Sequence, residues 1–162
     1  MNLLIVDDEY LVVEEVVTVT DWELLGITEI YSATNAVSAV RILNEKKIDI
    51  MICDIEMPQT DGLELSKKAK ENFPDLEIVM LTSHAEFNYV RNALRYGCYD
   101  YLLKPVMEDD IIKVMKNLVT KIERERHQAQ LQEEGIVWNQ LKPVWKEKYW
   151  EEMLRGLRDD PN

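Results

Sequence analysis

The sequence predicts an α/β fold, a doubly wound parallel sheet of five strands followed by a helical C-terminal extension. Three observations predict it. Five short apolar runs alternate with segments of helical rhythm over residues 1–122, the order that builds a parallel sheet covered by helices. The first run, Leu3-Leu4-Ile5-Val6, is apolar at every position, as a strand buried on both faces requires. The runs also end in polar residues: Asp7-Asp8 after the first, Asp54 after the third, Thr82 after the fourth, Lys104-Pro105 after the fifth. Loops that follow parallel strands open on one edge of the sheet, the edge where such folds bind ligands.

After the first strand, Glu9 to Thr20 carries Leu11-Val12, Glu14-Glu15 and Val16-Val17, a three-to-four residue rhythm suited to an amphipathic helix. Asp21-Trp22-Glu23 and Gly26 mark its end and the turn into a second strand, Ile27–Tyr31. A second helix is expected from Asn35 to Lys46, with Ala36, Val37, Ala39, Val40, Ile42 and Leu43 facing inward. The third strand is Ile48–Cys53, and a helix using Leu63, Leu65 and Ala69 follows Asp61-Gly62. Pro74 prevents its continuation, since proline lacks the amide a helix needs. Leu76–Leu81 is the fourth strand, and Glu86 to Tyr96 a shorter helix with Phe87, Val90 and Leu94, closed by Gly97 as a C-cap. Tyr99–Leu103 is the fifth strand. Glu108-Asp109-Asp110 suit the positive end of a last helix, which carries Ile111, Ile112, Met115, Leu118, Val119 and Ile122.

The pattern changes beyond residue 122, so the chain is read as a domain over 1–122 and a helical tail over 123–162. Glu123–Glu134 is charged and helix-prone. Trp138, Leu141, Trp145, Tyr149 and Met153 then recur at three and four residues, interrupted by Pro143. Such a stripe reads as an amphipathic helix packed on its own domain or on a twin, or as a connector to something C-terminal; the two readings are compatible.

Composition excludes several classes. The 162 residues are 46% hydrophobic and 31% charged, a globular profile. The net charge is -12; residues 1–122 hold 12 Lys/Arg against 22 Asp/Glu, and the tail holds 7 against 9. An acidic domain has little to offer a phosphate backbone, so direct DNA binding is not expected. Cys53 and Cys98 fall in or beside buried strands and read as small apolar residues, with neither metal-ligand nor disulfide spacing. No signal segment or membrane-length apolar run occurs, and a cytoplasmic location is expected.

Each acid at the sheet edge has an ordinary reading too. Asp7-Asp8-Glu9 can cap a helix, Thr82 can cap a strand, and Lys104 can be a solvated lysine. Asp54 reads differently, because it closes the buried run Ile50-Met51-Ile52-Cys53, where a carboxylate is costly unless a cation or donor meets it. Asp7, Asp8 and Asp54 together place three negative charges in one pocket, repelling by ~4 kcal/mol per pair at an effective dielectric of about 20. Lys104 supplies one positive charge; a hard divalent cation with oxygen ligands supplies two more. Lys104 precedes Pro105, an X-Pro unit open to a cis bond that would aim the side chain inward. Tyr101 reads as a half-buried strand aromatic.

In this order these residues resemble the receiver domain of two-component response regulators. The signals are Val6-Asp7-Asp8, Asp54-Ile55-Glu56-Met57-Pro58 with Asp61-Gly62, Thr82-Ser83, Tyr101 and Lys104-Pro105. The resemblance implies a flavodoxin-like sheet of order 2-1-3-4-5 and a phosphoryl group accepted on Asp54 from a sensor histidine kinase. It implies Mg²⁺ held by Asp8, Asp54 and the backbone carbonyl of Glu56, with Asp7 acting mainly through water. Thr82 and Lys104 would bind the phosphoryl oxygens, and Tyr101 would follow Thr82 inward. The domain would catalyse only its own phosphorylation and dephosphorylation, and would form a homodimer when phosphorylated.

Asp21-Trp22-Glu23-Leu24-Leu25-Gly26-Ile27, Glu86-Phe87 and Asp100-Tyr101-Leu102-Leu103-Lys104-Pro105 are similar to regulators with a C-terminal AraC-type DNA-binding domain. No helix-turn-helix of that kind fits within 123–162, so the chain is read as truncated or as lacking its effector. DNA contact would belong to that C-terminal domain and transcription would be the output, with no membrane partner. Glu56 and His84 depart from the subgroup pattern and are expected to flank the mouth of the site and alter the lifetime of the phosphorylated state. Two other classes stay open: a metal-dependent α/β phosphatase-like enzyme, and an inert interaction module. Against the first, no Asp-x-Asp follows the third strand and no glycine-rich phosphate loop occurs.

Overall fold

The structure is a computed structural model describing residues 1–84 and 87–158, by backbone alone at 87, 89, 90 and 141–158. Among the described residues, strands β1 (Asn2–Val6), β2 (Glu29–Ala33), β3 (Ile50–Asp54), β4 (Glu77–Thr82) and β5 (Asp100–Leu103) alternate with helices α1 (Tyr10–Thr18), α2 (Ala36–Glu45), α3 (Gly62–Asn72), α4 (Phe87–Arg95) and α5 (Glu108–Arg158). The strands form one parallel sheet of order 2-1-3-4-5.

Side chains alternate across the sheet. Leu4, Val6, Met51, Cys53, Ile78 and Met80 form one face and pack with Ala39 and Leu43 of α2 and Leu63, Leu65 and Ala69 of α3. The opposite parity, Leu3, Ile5, Ile50, Ile52, Val79 and Leu81, is also fully buried. Buried helical residues outside that cluster, among them Val13 and Val16 of α1 and Ile111, Met115 and Leu118 of α5, are available to cover it. Both faces are therefore dry, and the functional polar groups are confined to the sheet edges.

Local chemistry sets the boundaries. Asn35 caps α2 by accepting from the Ser38 amide at 2.8 Å, and Asp61 caps α3 by accepting from the Leu63 amide at 2.9 Å. The second strand starts later than expected, at Glu29. Ile27 instead closes a 3-10 turn (Glu23–Leu25), donating to the Trp22 carbonyl at 3.0 Å, and is buried there. Gly26 supplies the left-handed residue (φ 85°) that ends this turn, a conformation glycine adopts freely. Val37 and Val40, expected inward, are 81% and 44% exposed. The buried face of α2 runs through Ala39 and Leu43, and Val37 lies off it.

The chain divides into two units, Met1–Val119 and Thr120–Asn162. Helical backbone continues through Pro143, where the sequence suggested an interruption. Trp138 is 59% exposed and Leu131 53%; the side chains of Leu141, Trp145, Tyr149 and Met153, expected to extend that stripe, lie outside the described residues. No described helix is long and apolar enough to cross a membrane.

Candidate functional site

Strand register assembles the site. Val6 stands opposite Cys53, Asp54 opposite Leu81, and Thr82 opposite Leu103. The next residues continue the ladder: Asp7 N–H donates to the Ala33 carbonyl at 3.2 Å, Ile55 to Leu81 at 2.9 Å, and Lys104 to Thr82 at 2.9 Å. Asp7, Asp54, Thr82 and Lys104, the first and last 97 positions apart, are thereby fixed at the same edge by backbone hydrogen bonds.

Three carboxylates meet there. Asp7, Asp8 and Asp54 each offer an oxygen, and these oxygens lie within 4.8 Å of one another. Asp7 is fully buried and Asp54 is 2% exposed, whereas Asp8 is open to solvent. Asp7 Oδ1 accepts from the Glu9 amide at 2.9 Å, ahead of α1, whose N-cap makes no side-chain hydrogen bond, so the acids here do not cap that helix. Its Oδ2 makes no directed hydrogen bond among the described residues and meets the Lys104 ammonium as an ion pair at 2.7 Å. Asp54 Oδ2 lies 3.3 Å from the same ammonium, and its Oδ1 accepts from the Glu56 amide at 3.2 Å. The Lys104–Pro105 peptide is cis.

The electrostatics follow from crowding. Burial, then the neighbouring Asp7 charge, push the Asp54 carboxyl up to about 6, against the pull of Lys104 and the Glu56 amide. Burial works against the Lys104 charge, yet Asp7 and Asp54 outweigh it and hold the ammonium above the ordinary lysine value. One ammonium among three acids leaves the pocket short of positive charge. Three hard carboxylate oxygens at this spacing, with one ammonium shared by two of the acids, fit a magnesium-type cation, which takes oxygen ligands and is held by few carboxylates.

The remaining predicted residues surround this cluster. Thr82 is buried, and its hydroxyl accepts from the His84 amide at 3.1 Å and donates to the His84 carbonyl at 3.0 Å. The Glu56 side chain turns outward to His84, with Oε1 3.3 Å from Nε2. Tyr101 pairs with Met80, one pleat below the edge, and lies partly buried against the core rather than among the acids. Cys53 and Cys98 are free and buried, and burial pushes both thiols up.

Two relationships were not readable in the sequence. Glu56 and His84 are 28 positions apart and meet only through the fold. Gly62 was visible as part of a loop, but not that a side chain there would strike the Asp54 backbone. The glycine itself was the only signal.

Residues 3–116 match the family model described as the response regulator receiver domain. The chain is 34% identical over 124 residues to the uncharacterized transcriptional regulatory protein YesN of Bacillus subtilis, covering 76% of this chain and 34% of that protein. Response regulator SaeR of Staphylococcus aureus is 32% identical over 127 residues, covering 78% of this chain and 54% of SaeR. The chain thus spans a third to about half of these two relatives. Among solved structures, the receiver domain of AraT, a response regulator from Geobacillus stearothermophilus, aligns with a TM-score of 0.72 at 30% identity, covering 77% of this chain and 97% of that one. NtrX from Brucella abortus aligns with the same TM-score at 28% identity over 80% of this chain and 29% of that one.

Proposed function

This chain belongs to the response regulator receiver-domain family, and on that footing we propose that Asp54 accepts a phosphoryl group from a sensor histidine kinase in a Mg²⁺-dependent reaction. Residues 1–122 are the accepting unit, and residues 123–162 are a helical linker to a C-terminal output. That output is transcription, through an AraC-type DNA-binding domain, a reading supported by the resemblance of Asp21–Ile27 and Asp100–Pro105 to that subgroup. DNA contact falls to that domain alone.

One observation carries the proposal: Asp54 is a buried carboxylate with one oxygen on an amide and the other facing an ammonium. A carboxylate is a usable nucleophile toward an activated phosphoryl donor. The Asp54 oxygen bonds to phosphorus as the phosphorus–nitrogen bond to the donor imidazole breaks, leaving an acyl phosphate. Such transfers depend on positioning and charge neutralisation more than on covalent work by the protein. Asp8, Asp54 and the Glu56 carbonyl would hold the cation, with Asp7 acting through water. When bound, it supplies positive charge to the phosphoryl oxygens.

The chain's own residues do the rest. Lys104 sits within ion-pair distance of both Asp7 and Asp54, which supports its role as the group that takes a phosphoryl oxygen. Thr82 donates to another once its hydroxyl leaves the His84 carbonyl, and Tyr101 follows inward. The added charge of about -2 then biases a two-state surface. Leu94 on α4 and Leu103 on β5 are 54% and 43% exposed and belong to the surface proposed to dimerise.

The test is incubation with acetyl phosphate and Mg²⁺ followed by intact mass. The parent is expected to gain one phosphoryl group and Asp54→Asn none. Continuous turnover of the donor without stable modification would favour a phosphatase-like enzyme, and no reaction an inert module.

A further inference from the structure

Gly62 opens α3, and glycine is required there by space rather than by backbone angle. The described glycines with positive φ are Gly26 and Gly97. A Cβ on Gly62 would lie 1.8 Å from the Asp54 carbonyl oxygen, 2.8 Å from its carbonyl carbon and 3.0 Å from the Ile55 Cα. All three atoms are backbone, so no rotamer change relieves the overlap. The chain entering α3 is laid directly on the peptide that follows the acceptor.

Hydrogen bonds seal that contact. The Gly62 amide donates to the Ile55 carbonyl at 2.9 Å, and the Asp61 carboxylate accepts from the Leu63 amide at 2.9 Å. Residues 56–61 therefore form a loop closed at its neck. Just inside the neck stands Glu56, whose amide donates to Asp54 Oδ1 at 3.2 Å. The position of its carbonyl is set by the same short stretch of backbone.

We propose that Gly62 is a positioning residue for the divalent cation: its bare Cα lets α3 press on the Asp54–Ile55 peptide and so fixes the Asp54 carboxylate and the Glu56 carbonyl relative to Asp8. This rests on the Mg²⁺-dependent reading above. A methyl group at 62, 1.8 Å from the Asp54 carbonyl oxygen, forces the two backbone segments apart by about 1.7 Å, since non-bonded heavy-atom contacts settle near ~3.5 Å. Displacing the support of a metal ligand costs roughly 10- to 100-fold in affinity.

Mg²⁺ binding is measured by calorimetry on the parent and on Gly62→Ala, with circular dichroism and melting as the fold check. A folded Gly62→Ala is expected to bind Mg²⁺ at least about tenfold more weakly; equal affinity overturns the proposal. Amide exchange on the parent provides a second reading. If the neck positions the cation's oxygens, the bound cation must tighten the neck in return. Mg²⁺ is then expected to slow exchange at the Gly62 amide more than at the Gly26 amide, which donates to the Glu23 carbonyl at 3.0 Å in a separate turn. Equal changes at the two amides overturn the proposal, whether or not Gly62→Ala folds. A parent that binds no Mg²⁺ sinks the metal-dependent reading itself, a result distinct from either.

Discussion

The Thr82 hydroxyl is closed onto the backbone of His84, accepting from its amide at 3.1 Å and donating to its carbonyl at 3.0 Å. A hydroxyl has one proton to give. Donating it to a phosphoryl oxygen means releasing the His84 carbonyl, so chemistry at Asp54 and the conformation of residues 83–84 are linked through one atom. Thr82→Ala should still accept phosphoryl from acetyl phosphate, but lose the shift of the His84 amide resonance when beryllofluoride is added. A full-size shift in the variant would count against this link. The variant also leaves the His84 amide without its partner, a cost of about 1 kcal/mol visible in thermal unfolding.

Glu56 and His84 reach across the site mouth with Oε1 and Nε2 3.3 Å apart, and both side chains are substantially exposed. An exposed pair adds less than about 1 kcal/mol to stability, so its effect should appear in kinetics. Removing either partner opens the mouth to water. Glu56→Ala and His84→Ala should each lose phosphate several-fold faster than the parent, and the double variant should be no faster than either, because coupled residues are not additive. Decay at the parent rate in all three would refute this.

Asp54 carries its charge at a cost. Its carboxyl is pushed up to about 6 from an ordinary 3.8 by burial and by Asp7. The folded state then takes a proton more readily than the unfolded state. Metal-free stability should rise as pH falls through about 6, by at most about 3 kcal/mol once both states are protonated near pH 4. Asp54→Asn should be more stable than the parent near pH 7 and should lose this trend. Urea unfolding of both proteins between about pH 5 and 7 measures the difference; parallel curves would contradict it.

Lys104 is the cation that Asp7 and Asp54 share. Lys104→Ala leaves Asp7, fully buried, without its ionic partner. Breaking one side of a buried pair costs roughly 3–5 kcal/mol. Mg²⁺ should restore part of that loss by linkage. Unfolding with and without Mg²⁺ checks both halves, and a variant as stable as the parent without metal would refute the first.

Dimerisation is expected to be modest at rest and stronger with beryllofluoride. In heptad register Ile111, Met115, Leu118 and Ile122 run on to Glu125, Ala129 and Gln132, so the helix supplies little coiled-coil adhesion. Sedimentation with and without the mimic measures this; an unchanged mass would tell against it.

Much of the fold was legible because it is written in local patterns. Short continuous apolar runs marked the strands and a three-to-four residue rhythm marked the helices, and Asn35, Asp61 and Gly97 stood at or beside helix ends. Ile27 lies outside β2 because an apolar residue beside a strand has the same pattern as one within it, and here it closes a turn. Val37 is exposed although it stands in an apolar run, because valine and alanine in sequence mark a helix without saying which flank is buried.

The sequence by itself determined which residue types end which strands, and therefore that Asp7, Asp8, Asp54, Thr82 and Lys104 share an edge. That follows from chain direction, since parallel strands all deliver their ends to the same side. Only the tertiary structure decided the oxygen and amide pairings: Lys104 between two acids, Thr82 turned to His84, Glu56 reaching His84, and Gly62 against the Asp54 peptide. Those depend on distances across space of a few ångströms, which packing sets and linear order does not encode.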